Sequence, residues 1–84
     1  MRTRKASSLE RIRPWFVGKE AALERAFETS ESFRELCTDY LICREAVARW
    51  QESRSDKAQL RVTEYEKLAA EIAAEIEAAL GVAT

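Results

Sequence analysis

An all-α fold, an antiparallel hairpin of two long helices with a short helix before them, is predicted by three observations. Apolar residues recur every three or four positions over residues 31–53 and again over 57–80, and neither segment contains Gly or Pro. Two short polar breaks, "TSES" at Thr29–Ser32 and "SRSD" at Ser53–Asp56, separate the helical stretches. "KEAALERAFE", before the first break, is built almost entirely of strong helix formers. Eighty-four residues allow one domain with a small core, so dimerisation into a four-helix arrangement is a natural further expectation.

The chain divides into a basic, flexible arm, residues 1–18, and a single helical domain, residues 19–84, with helices expected at about 19–28, 31–53 and 57–80. Residues 1–8 read as a disordered tail. In "SSLERIRPWF", Ser7 and Glu10 have capping-box spacing, but Pro14 removes a backbone donor, so at most one helical turn is expected there. The first helix puts Leu23 and Phe27 four apart on one face. The second starts near Ser30, where Ser32 and Glu35 repeat the S-x-x-E signal. Its heptads place Phe33, Tyr40 and Val47 at position a, and Leu36, Cys43 and Trp50 at position d. The third helix, capped by Ser55 or Asp56 and stopped by Gly81, carries the stripe Ala58, Val62, Tyr65, Ala69, Ile72, Ile76 and Ala79, broadened by Leu68 and Leu80. Both long helices measure roughly 36 Å, and a turn of about four residues can only return the chain antiparallel. Packing is therefore expected from Phe33, Leu36, Tyr40, Val47, Trp50, Val62, Tyr65, Leu68, Ile72 and Ile76.

"SFRELCTDYLICREAVARW" holds eleven apolar residues among nineteen, more than one neighbouring helix covers. In the heptad frame Cys37 falls at e and Leu41 at b, widening the stripe, whereas Ile42 at c lies almost opposite it. Leu60 also falls outside its stripe. Two readings stand side by side: scattered exposed apolar residues of the ordinary kind, or a second interface, with the first helix or another copy of the chain. Leu41, Ile42, Trp15 and Phe16 are the candidates for partner contact, and Ile42→Glu is the substitution expected to disrupt assembly.

Charge is uneven. Met1 to Lys19 holds six basic residues against Glu10, a net +5, while the other 65 residues hold eight basic and fourteen acidic ones, a net −6. The arm, with Arg2, Arg4, Lys5, Arg11 and Arg13 beside Trp15 and Phe16, fits three roles: structural or solubilising, contact with a partner protein, or contact with nucleic acid or an anionic membrane. The acidic body disfavours extended contact with nucleic acid. No apolar run approaches the roughly 20 residues of a membrane span, and the Arg-rich start does not resemble a secretory signal, so a cytoplasmic location is expected.

No catalytic residue, cofactor site or metal site is expected. There is no histidine, no C-x-x-C and no Gly-rich phosphate loop. Glu20 with Glu24 and Glu71 with Glu75 are read as solvated helix faces. Cys37 and Cys43, six apart, are separated by roughly 600° of rotation and 9 Å of rise on one helix, so they cannot bridge each other. They read as buried thiols, with an intermolecular disulfide at Cys37 as the alternative.

Phe33, Leu36 and Tyr40, the polar turn with Asp56, and Leu68, Glu71, Ile72 and Ile76 together resemble the small bacterial YdcH-like proteins, cytoplasmic helical hairpins of unknown function. The resemblance spans about Leu23 to Leu80 and implies a fold without catalytic residues. The chain departs from that pattern in its short turn, in "RVTEYEK" at the start of the last helix, and in its N-terminal arm.

Overall fold

The computed structural model describes residues 3–81, with side chains from Ser8 onward. All regular structure among these residues is helical: α1 (Thr3–Ile12), a 3-10 turn (Arg13–Trp15), α2 (Glu20–Thr29), α3 (Glu31–Gln51) and α4 (Ala58–Ala79). The two long helices pack along each other, and α1 and α2 both lie against α3.

The chain before Pro14 differs from expectation. In place of a disordered tail with a single turn, residues 3–12 form a ten-residue helix, and Pro14 falls beyond its end. Pro14 has no N–H to bond back to Glu10, so the i to i−4 ladder stops and a 3-10 turn follows, closed by the Phe16 N–H donating to the Arg13 carbonyl at 3.0 Å. Burial supplies the stability that isolated helices of this length lack. Ile12 is completely buried, Phe16 almost so, and Leu9 packs against the same core. Each fully buried side chain of this size contributes about 1.5–3 kcal/mol.

Gly18 follows with φ +88, the left-handed conformation a side chain would resist, and turns the chain into α2. The Gly18 N–H donates to the Glu20 carboxylate at 3.2 Å. This bond and that from Glu20's own backbone N–H hold the Glu20 carboxyl below its ordinary pKa, the latter contributing more. An acid in the first turn of α2 thus does part of the work of a missing side-chain N-cap.

Ser30, extended at φ −135 and ψ 116, separates α2 from α3. Its Oγ accepts from the Phe33 N–H at 3.1 Å, so Ser30 is the N-cap and the S-x-x-E pair beginning at Ser32 lies inside the helix. The Arg34 guanidinium reaches back to donate to the Phe27 carbonyl at 2.6 Å, satisfying an acceptor at the end of α2. Beyond α3, Ser53 Oγ accepts from the Ser55 N–H at 3.0 Å and Ser55 Oγ from the Lys57 N–H at 3.1 Å. Two successive serine turns thus shape the connection into α4. Gly81, at φ +75, follows the end of α4.

The core joins Ile12, Phe16, Leu23 and Phe27 of the N-terminal segment to Phe33, Cys37, Tyr40, Leu41 and Cys43 of α3 and to Ala69 and Ile76 of α4. On α4 the fully packed seam is Val62, Ala69 and Ile76, a strict seven-residue repeat. Tyr65 and Ile72 are half-buried beside it, and Leu68 is 44% exposed. Small Ala69 at the middle of the seam permits close approach of the long helices.

Ile12→Ala is expected to lower the free energy of unfolding by about 2–4 kcal/mol, whereas Val17→Ala, at an exposed position of the same segment, changes it by less than about 0.5 kcal/mol. Urea unfolding followed by circular dichroism checks both.

Candidate interaction surface

The segment after α1 is fixed to α3 by an aromatic cluster. The Trp15 and Tyr40 rings meet edge to face with centroids 5.7 Å apart and planes at 75°. Phe16 lies 5.7 Å from the same Tyr40 ring. The Arg44 guanidinium sits 4.5 Å from the Trp15 centroid, one helical turn beyond Tyr40. Such pairs contribute about 0.5–1.5 kcal/mol each beyond area burial. Burial raises the Tyr40 pKa, with the Arg44 charge opposing that shift.

The four residues that the sequence offers for partner contact fall into two pairs. Phe16, in the link before α2, packs on Tyr40, and Leu41 of α3 is only 7% exposed in the same core; neither offers a surface to a partner. Trp15 keeps 44% of its surface and Ile42 keeps 55%. Leu60, outside its stripe, is also exposed. The amphipathic pattern of residues 3–12 is the signal that could have found this: once that helix packs on α3, Ile12 and Leu41 share one core.

The basic candidates divide similarly. Arg11 pairs with Glu45 of α3, and Arg13 pairs with Glu24 of α2. The arm's positive charge is therefore partly engaged by the acidic body. Arg2, Arg4 and Lys5 lie outside the described side chains.

Among the described residues, α1 and α2 pack on α3, and the groove between the start of α3 and the end of α4 stays open. That groove is lined by Phe33, Leu36 and Asp39 from early α3 and by Glu75 and Ala79 from late α4. Leu36 and Trp50 are half-buried at positions d of α3, as are Tyr65 and Ile72 on α4, and Leu68 is exposed beside them. At helical spacing these residues form a shallow apolar strip flanked by charge.

The thiols are enclosed. Burial pushes Cys37 from 9.0 up to about 11. Cys43 is also raised, first by burial and then by the Asp39 carboxylate. Both are held as protonated thiols at neutral pH, the form least able to attack an electrophile. Among the described residues there is no group of three or more His, Cys, Asp or Glu placed to hold a metal, and no helix long and apolar enough to cross a membrane. No family model, curated protein or solved structure matches this chain.

In native buffer near neutral pH, both thiols are expected to react with an aromatic disulfide reagent more slowly than in denaturant, Cys37 by about a hundredfold, as a spectrophotometric thiol titration would show. Because the folded Cys37 value is raised, its stabilising contribution is complete below pH 9.0 and is lost as pH rises through about 11, where the unfolded chain ionises first. Chemical denaturation across that interval checks the sign.

Proposed function

We propose that the chain is a small, non-catalytic helical protein–protein interaction module that self-associates and works in the cytoplasm. The observation that carries this reading is the one-sided covering of α3 and α4: the N-terminal layer encloses one side, while Leu36, Trp50, Tyr65, Leu68 and Ile72 keep apolar surface on the other. An antiparallel hairpin is part of the proposal. It is supported by the six-residue connection, 52–57, and by the groove in which the start of α3 meets the end of α4. The resemblance to YdcH-like hairpins points the same way. Trp15 and Ile42, exposed elsewhere on the surface, are available for a different protein.

A nucleic-acid-associated role for the arm is the alternative, favoured by its charge. The pairing of Arg11 with Glu45 and of Arg13 with Glu24 places acidic side chains beside two of the arm's cations; these exposed pairs are weak, and what counts against the alternative is the repulsion of phosphates by the adjoining acidic body. Deleting the first 18 residues would also remove Ile12 and Phe16 from the core, so the arm is better tested by charge substitution than by truncation.

Sedimentation equilibrium of the full chain is expected to show a mass that rises from monomer toward dimer with concentration. A monomeric mass throughout contradicts self-association. Replacing Arg2, Arg4 and Lys5 together with Gln should leave that mass unchanged. Salt-sensitive binding of a labelled oligonucleotide, lost in the same variant, would transfer the function to the alternative.

A further inference from the structure

Arg61, Leu68 and Glu75 lie seven residues apart on α4, along one line at the margin of the apolar strip. Leu68 sits at the middle of the helix, since Ala58–Ala79 is centred between residues 68 and 69. Arg61 and Glu75 are equidistant from it and opposite in charge. Asp39 and Glu75 line the groove at one end of the strip, with Glu71 one turn before Glu75; at the other end Lys57 and Arg61 stand beside Asp56 and Glu64, so the contrast rests on Arg61 and Glu75 themselves.

Resting on the self-association proposed above, we infer that the strip is covered by a second copy of this chain. The copies are related by a two-fold axis perpendicular to the long helices, with Leu68 against its counterpart and Arg61 of each copy facing Glu75 of the other. A two-fold interface must be complementary to itself, and this line of residues is: reversing it about Leu68 exchanges positive for negative. With the axis along the helices instead, Glu75 meets Glu75 and Arg61 meets Arg61, and like charges repel. The charge distribution therefore selects one orientation of the two that an apolar strip alone would allow. Arg61 now bonds Glu64 at 2.8 Å within its own helix, but that pair is exposed on both sides, and exposed pairs contribute only about 0–1 kcal/mol. Exchanging it for a contact across the interface costs little.

Charge reversal measured by sedimentation at low salt tests the arrangement, using full chains whose helicity is checked by circular dichroism. Glu75→Lys alone and Arg61→Glu alone are each expected to raise the dimer dissociation constant about tenfold, because each loses two symmetric contacts. The double variant R61E/E75K should return it to within about threefold of the original. Leu68→Glu should abolish the dimer, whereas Ile42→Glu, which the sequence alone marks as the disruptive change, should leave it unchanged because Ile42 is exposed away from the strip. A double variant no better than the single ones overturns the orientation. Dimer loss with Ile42→Glu but not with Leu68→Glu overturns the choice of face. A wild-type chain that stays monomeric overturns the self-association beneath both.

Discussion

The width of the apolar arc on α3 governs the rest of the structure. Phe33, Cys37, Tyr40, Leu41, Cys43 and Val47 are all buried, and at roughly 100° per residue they span close to half of the helix circumference. One facing helix covers a narrower stripe. A second layer must therefore enclose what α4 leaves, and α1, α2 and the link between them supply it through Ile12, Phe16, Leu23 and Phe27. Without this layer Leu41 and Cys37 would face water, and a chain of 84 residues has little stability in reserve for that.

Polar contacts fix the register of that layer. The Arg34 bond to the Phe27 carbonyl sets the corner between α2 and α3, Arg11 reaches Glu45, and Arg13 reaches Glu24. Exposed ion pairs add little stability, so their value lies in orientation; the aromatic contacts of Trp15 and Phe16 with Tyr40 carry more of the energy. The charge asymmetry of the sequence thus has a structural meaning. Part of the basic N-terminal segment lies against the acidic body that follows it.

The long helices were legible because the heptad spacing of α3 and the three-and-four spacing of Ala-rich α4 agree with the polar breaks. Ile42, almost opposite the core in that frame, is exposed, and Phe33, Tyr40 and Val47 are buried. What local pattern could not convey was the fate of the first eighteen residues. Pro14 reads as a breaker, but a breaker just beyond a helix end is compatible with the helix, and the stabilisation of α1 comes from residues far along the chain. The burial of Phe16 and Leu41 follows from that long-range contact. Leu68 departs in the opposite direction: its spacing broadens the α4 stripe, but the seam runs through Val62, Ala69 and Ile76, leaving Leu68 about 100° away and open. The same rotation explains how an apolar strip remains for a partner after the core is complete.

In this account α3 is the hub on which every other element packs, and native-state hydrogen exchange reads that hierarchy most directly. The amides from Cys37 to Val47 should exchange slowest, only through global unfolding, with the ends of α2 and α4 opening earlier. If the α3 amides instead exchange as fast as those of α2, or if α4 remains protected after α3 has exchanged, the central role assigned to that helix is wrong.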